Sequence, residues 1–328
     1  MKLPLLATLA VIAATAVTGA LAQYPEKPIT LIVPFSAGGP TDRLAHHFGE
    51  ALERQLGPRA TVSIGYAAGS GGTVGATRVA KAANDGYTLL FTHVSLATSP
   101  ALHRSKLGYN ALDDFEYLGL VNEMPMVLVG KPSLDARTYA DLLQWAQANH
   151  ATMRIAHAGI GSASHLCGLL LMSALQLKLD PLAYKGAGPA MVDVEAGQAD
   201  LMCDQTANTL PMVEDGRVQA YAVTSTKRLS HPRLSALPTL DESGLAGFQV
   251  TIWHGLYAPS GTPKAITTQL NAALKAALKD PEFVKQQKAL GAVPVADARS
   301  NGPQHKKFVE AEIARWTPII QANKQYAD

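Results

Sequence analysis

The chain has 328 residues, 47% hydrophobic and 16% charged, with a formal net charge of +2. That much apolar mass fills a sizeable core, suggests about two domains and excludes a disordered chain. Acidic and basic residues are interspersed without long blocks, which gives no case for nucleic acid, and the ten histidines stand in no tight metal-binding spacing, so no cofactor is expected.

Residues 1–22, MKLPLLATLAVIAATAVTGALA, carry one lysine, then apolar and small residues, and end in the small-x-small pattern Ala20-Leu21-Ala22. They read as a cleaved secretory signal peptide. The run is short and alanine-rich for a membrane anchor, and no cysteine marks a lipoprotein. A mature chain from near Gln23 is therefore expected outside the cytoplasm and soluble. Its two cysteines, Cys167 and Cys203, can form one bridge there or remain two buried thiols.

Short β-rich runs then alternate with longer amphipathic ones. ITLIVPF precedes DRLAHHFGEALERQL, TVSIGY precedes GTVGATRVAKA, and YTLLFTH precedes SLATSPALHRS, each reading as a strand followed by a helix of an α/β fold with a mostly parallel sheet. FEYLGLVNEMPMVLVGKPS reads as two strands around an acidic turn, and YADLLQWAQAN as a helix with Leu142, Leu143 and Trp145 for its apolar face. The strand MRIAHAG, the helix SHLCGLLLMSAL, the strand LDPLAYK, the helix GPAMVDVEAG and the strands ADLMCD and QAYAVTS follow. TIWHGLYAPSGTPKAI, the helices TTQLNAALKAAL and PEFVKQQKAL, and a long helix from about Gln304 complete the chain. This order places one unit at 23–122, a second at 123–248, and returns 249–328 to the first. Two such sheets meeting edge to edge leave a cleft at the carboxyl ends of their strands.

Three glycine-rich turns lie where a strand hands over to a helix: PFSAGGPTD, YAAGSGGTVG and HAGIGSASH. There glycine permits positive φ, and the first N–H groups of the helix are unpaired and suit an anion. Any one of them is equally a tight strand-to-helix turn, and it is their repetition in both units that favours binding. No GxxxxGK[ST] exists, and GSGGTVG lacks the spacing of a dinucleotide fingerprint. A carboxylate is small enough for such paired donors.

Over essentially the whole mature chain, the set PFSAGGPTDRLA, AAGSGGTVGA, GYTLLFTH, GSASHL, YKGAGPA, ADLMCDQ and LYAPSGTP resembles the Bug family, the substrate-binding proteins of tripartite tricarboxylate transporters. The resemblance implies a two-domain periplasmic-binding-protein-like fold of type II, each domain a mostly parallel sheet flanked by helices, closing on a ligand in the cleft between them. It implies a small organic carboxylate as ligand (di-, tri- or aromatic), the membrane subunits of such a transporter as partner, and a monomer. In related proteins the turns matching residues 35–42 and 159–165 hold one carboxylate, partly through water.

Carried onto this chain, that match gives Phe35 as part of the first turn and Ser36, Ala37, Gly38 and Gly39 as backbone donors, with Gly69, Ser70, Gly71 and Gly72 bordering the same pocket. Gly159, Gly161, Ser162, Ser164 and His165 belong to the opposing turn; His93 and Ser95 follow a third strand, and Tyr184, Lys185 and Gly186 lie in YKGAG. Asp42 is expected to act as an N-cap, and Lys185 to be solvated. Asp204, at a strand end, would accept a hydrogen bond from the far end of the ligand. The family usually has Asn next; here Gln205 and Thr206 follow, so the distal contact differs. Cys167 and Cys203 are candidates for a disulfide tying two strand ends. A zinc site from Cys167, Cys203, His165 and Asp204 lacks close spacing. A serine hydrolase using Ser162, His165 and Asp204 lacks a GxSxG elbow. A sensor presenting its closed form to a signalling partner has the same sequence requirements as a transport protein.

Overall fold

A computed structural model describes residues 24–103 and 106–322; the signal-peptide reading of residues 1–22 falls outside them. The first half of the chain builds β1 (Ile29–Val33), α1 (Pro40–Leu56), β2 (Val62–Tyr66), α2 (Thr73–Ala80), β3 (Thr88–His93) and α3 (Ser95–His103). A long strand, β4 (Phe115–Gly130), leads to α4 (Tyr139–Asn149), β5 (Arg154–His157), α5 (Ala163–Leu175), β6 (Asp180–Ala183), α6 (Ala187–Glu195), β7 (Leu201–Gln205), α7 (Thr206–Glu214) and β8 (Gln219–Val223). The chain ends with β9 (Thr251–Pro259), α8 (Lys264–Ala277), α9 (Pro281–Ala289), the two-residue β10 (Val293–Pro294) and α10 (Gly302–Ala322).

The strands form one curled, mixed sheet in the order β2-β1-β3-β9-β4-β7-β5-β6, flanked by helices, with β8 and β10 also pairing β4. Pairing is parallel within each arm, β1 with β2 and β3, and β5 with β6 and β7. It is antiparallel wherever β4 or β9 takes part. The expected mostly parallel sheets therefore occupy the two arms, and the strands that join them run the other way.

FEYLGLVNEMPMVLVG is one strand, not two around a turn. Asn122 and Glu123 hold ladder places opposite His254 and Trp253. Their polar groups are satisfied sideways: Asn122 donates to Gln287 at 2.6 Å, and the Arg299 guanidinium grips both oxygens of Glu123 at 2.6 and 2.9 Å. With those groups paired, the strand passes them without turning. Residues 115–125 pair with β9, and from Met126 the same strand pairs with β7 and β8. A second departure is α7, unexpected in QTANTLPMVE because Pro211 lies inside it. On α4, Leu142 is buried and Leu143 and Trp145 pack half-buried against the core, as expected, with buried Tyr139 and Ala146 completing the face.

Alternation along β4 feeds both faces of the second arm. Met126 and Leu128 join the main core, while Val127 and Val129 pack with Ala156, Met191, Val194 and Met202 on the other side. In the first arm, Phe48 of α1 stacks on Phe91 and meets Phe283 of α9 edge-on, docking the C-terminal helices onto the N-terminal strands.

Cys167 and Cys203 are joined in a disulfide, which ties α5 to β7 and not strand end to strand end. It closes a sequence separation of 36 residues. The chain-entropy relation gives a loop of that length about 4 kcal/mol at most. Replacing both cysteines by alanine is expected to lower unfolding stability by roughly 2–4 kcal/mol. Urea titration of the double variant checks this, and an unchanged midpoint would show that the crosslink contributes nothing.

Candidate functional site

The carboxyl ends of β1, β5, β6 and β7 each hand over directly to a helix, so the N-termini of α1, α5, α6 and α7 converge. In the first turn, Gly38 takes φ +82°, a left-handed conformation that favours glycine, and Gly39 caps α1 without any side-chain bond. Pro40 fills the first helical position, where the missing N–H costs nothing. Asp42 is not the N-cap: it sits on the third residue of the helix and reaches back, accepting the Gly38 N–H at 2.8 Å and the Tyr66 hydroxyl at 2.8 Å.

Two of the expected donors in this turn are thereby engaged. Gly38 N–H belongs to Asp42, and Ser36 N–H donates across the cleft to the Lys185 carbonyl at 3.2 Å, joined there by Ser36 Oγ at 2.9 Å. Ala37, Gly39, Thr41 and Asp42 keep backbone N–H groups that have no acceptor among the described residues. On the opposing side Ser162 caps α5 by accepting the His165 N–H at 3.3 Å, leaving the N–H groups of Ala163 and Ser164 without acceptors among the described residues. Helices α6 and α7 have Gly186 and Gln205 as their N-caps, again without a side-chain cap bond.

These ends surround a tight space of about 10 Å³, the room of about one water, lined by Phe35, Ser36, Gly39, Pro40, Thr41, Asp42, His93, Ala158, Ser162, Ala163, Ser164, Ala187, Asp204 and Gln205. Each helix N-terminus carries roughly half a positive charge. Four of them facing one small space make it an anion site built from backbone dipoles.

Several residues expected at the pocket stand elsewhere. Gly69, Ser70, Gly71 and Gly72 form the layer behind Phe35 and against residues 159–162. Ser95 donates its N–H to His93 Nδ1, with its hydroxyl 3.3 Å from Thr92 Oγ1. Gly159 and Gly161 shape the opposing turn, and the Gly161 carbonyl accepts Thr98 Oγ1 across the cleft at 3.1 Å. Tyr184 is tied to Asp193 at 2.6 Å, Lys185 is exposed, and Gly186 makes room for Ser36. Thr206 is buried against Gly291, its hydroxyl without a partner among the described residues. The His165 ring lines a separate cavity on the far side of the turn. Sequence reasoning missed Thr41, Ala163 and Ala187, although the first-turn rule it applied to the glycines points to those same positions. It also passed over Gln205 as a contact.

A family model for the tripartite tricarboxylate transporter family receptor matches residues 44–324. The chain belongs to this receptor family. A "UPF0065 protein in the TAR-I ttuE-ttuC' intergenic region" of Agrobacterium vitis is 42% identical over 91% of this chain and 85% of its own length. Among solved structures, the periplasmic binding protein BugD superposes with a TM-score of 0.89 at 41% identity, covering 92% of this chain and 99% of BugD. MatC from Rhodopseudomonas palustris, solved with bound malate, gives 0.84 at 34% identity, covering 90% and 100%.

In this Bug-type receptor the end of β7 contributes acceptors to the cavity wall. Asp204 is fully enclosed, and burial pushes its carboxyl up to about 7 although Asn208 donates to it at 2.7 Å. Beside it, Gln205 Oε1 is buried with no donor among the described residues. His93 stacks on Phe35 with ring centroids 4.6 Å apart, and burial lowers it to about 3, so it lines the cavity as a neutral ring. A network runs from Thr41 through His254 to Asn122 and Gln287, fixing the first turn of α1 to the crossing strands β9 and β4.

The receptor's geometry also answers the rival chemistries. His165 Nδ1 accepts the Gly161 N–H, and Asp204 bonds to Asn208, so no Ser-His-Asp relay forms. Both cysteine sulfurs lie in the disulfide, which removes them from any zinc set.

Proposed function

We propose that the protein is a periplasmic solute-binding protein, exported by its N-terminal signal peptide, that captures a small organic carboxylate and presents it, unchanged and as a monomer, to the membrane subunits of a tripartite tricarboxylate transporter. The convergence of four helix N-termini on one small space, three of them without a side-chain cap, carries this reading. One ligand carboxylate would lie between the free N–H groups of Gly39, Thr41 and Asp42 and those of Ala163 and Ser164, with ordered water completing the shell. The lobes would be 23–122 with 249–328, and 123–248. The change of partners along β4 at Pro125 and Met126 and the Val250–Thr224 backbone bond mark where they would hinge. The ligand would favour the closed form because only there does it touch both lobes. Among the described residues no helix is long and apolar enough to cross a membrane, which accords with export.

The far end of the ligand follows from Asp204 and Gln205. Both offer acceptors, so the molecule should bring a donor there, such as a hydroxyl or ammonium group. Malate carries one and succinate does not. Malate is expected to raise the melting temperature and to bind at least about tenfold more tightly than succinate, and to be recovered intact after incubation. Titration calorimetry with mass analysis of the recovered acid tests this. Consumption of the acid, or no thermal shift with any acid of a C4-to-aromatic panel, would overturn the reading.

A further inference from the structure

The second lobe holds another cavity, of about 150 Å³, on the opposite side of the turn at residues 158–162. It lies between α5 and strands β5 and β6. Ile155, Leu169 and Met172 form apolar walls, and it opens beside Pro181 and Ala183, which are exposed at the sheet edge. Only Ser164 is shared with the carboxylate cavity.

Besides Ser164, whose hydroxyl is engaged by the Ala158 N–H and Ser162 Oγ, two polar side chains line this otherwise apolar space, and both are deeply buried: His157 is 4% exposed and His165 5%. Their rings lie 4.8 Å apart. His157 Nδ1 accepts the Gly159 N–H at 3.2 Å, and His165 Nδ1 accepts the Gly161 N–H at 3.2 Å. Since each Nδ1 is an acceptor, the neutral ring carries its proton on Nε2. Neither Nε2 has a partner among the described residues. Burial lowers both groups, His165 to about 3, so these are neutral N–H donors at neutral pH.

We propose that this cavity is a second small-molecule site, for a neutral compound with an apolar body of about one ring and a hydrogen-bond acceptor such as an amide or ketone oxygen. A cavity of that size takes a single benzene-sized ring, and a few fixed polar groups in an apolar wall are how small-ligand pockets orient a ligand. Two fixed donors with no acceptor among the described residues can be satisfied by a carbonyl oxygen, which has two lone pairs. An anion is the poorer fit, because the donors carry no charge to offset its desolvation. The proposal does not depend on what the interlobe cavity binds.

Benzamide is the probe. Followed by nitrogen–proton spectra of the histidine rings, it is expected to shift the Nε2–H resonances of His157 and His165 saturably, with Kd on the order of 0.1–1 mM for a molecule of that size. Toluene, which has the ring and no acceptor, should bind about tenfold more weakly. Met172→Trp, which fills the cavity from α5, should abolish the shifts while leaving any binding in the interlobe cavity unchanged. No saturable shift in the unmodified protein up to about 10 mM benzamide would overturn the proposal, whatever the variant does. Equal affinity for toluene, or binding that survives Met172→Trp in a protein of native circular dichroism, would overturn it too.

Discussion

Replacing Gly71 with alanine is expected to leave the protein folded and to weaken ligand binding by about a hundredfold or more. Gly71 lies in the turn after β2, and a Cβ there would stand 1.8 Å from the Ile160 carbonyl oxygen, 2.8 Å from its carbon and 3.2 Å from Ser162 N. These are backbone atoms of the opposing arm, so no rotamer change relieves the clash. The turns must part, and parting them undoes the contacts that seal the carboxylate cavity, Ser36 to Lys185 and Thr98 to Gly161. When the binding-competent form becomes a hundred times rarer, apparent affinity falls by the same factor, about 2.7 kcal/mol.

Gly71 also has φ +61°, so alanine adds a left-handed backbone penalty of roughly 1–2 kcal/mol. Gly216→Ala supplies the control, since Gly216 has φ +68° with nothing within 4 Å of the methyl group that alanine would add. The two variants should lose similar unfolding stability, and only Gly71→Ala should lose affinity and show a larger radius of gyration by solution scattering in the presence of malate. Wild-type affinity in Gly71→Ala would remove the closed contact from the binding mechanism.

What made Gly71 notable in the sequence was its place in GSGGTVG, which reads as an anion turn. Its neighbour in space is Ile160, 89 positions away by the numbering, and no local pattern reveals that contact. The same limit explains the rest. The alternation of strands and helices was legible because burial imposes periods of two and about 3.6 on the side chains. The turns were legible because glycine marks positive φ. But Ser36 and Ala37 look equivalent in PFSAGGPTD, and only the approach of Lys185 engages one N–H and leaves the other. His165 stands in GSASH as a cavity residue, yet its ring turns away to accept from Gly161. Asn122 and Glu123 read as a turn because their partners, Gln287 and Arg299, arrive from the far end of the chain.

The protein is also expected to lose stability steeply on acidification, between about pH 6.5 and pH 4, before its carboxylates titrate. Burial holds His93, His165 and His305 at about 3 in the folded chain, against 6.5 when unfolded, and also lowers His47, His157 and His254. Across that interval the unfolded chain binds protons that the folded chain refuses, so stability falls as pH falls. At pH 5 each of the three most defined groups costs about 2 kcal/mol, together roughly 6. Asp204 works in the opposite sense. Its folded value, about 7, lies above the unfolded 3.8, so its contribution grows as pH falls from 7 toward 4 and offsets about 3 kcal/mol at pH 5. The net loss of roughly 3 kcal/mol at pH 5 about doubles by pH 4, a large share of the 5–15 kcal/mol that holds a typical domain. The carboxylates that ion pairs or backbone donors depress, such as Asp280 and Asp141, add their losses only below 3.8. Urea midpoints measured from about pH 8 to pH 4, with the histidine ring protons followed by NMR, decide the matter. A midpoint that stays level between pH 7 and pH 4.5, or buried rings that titrate near 6.5 in the folded protein, would mean that the histidines are not held neutral by the fold.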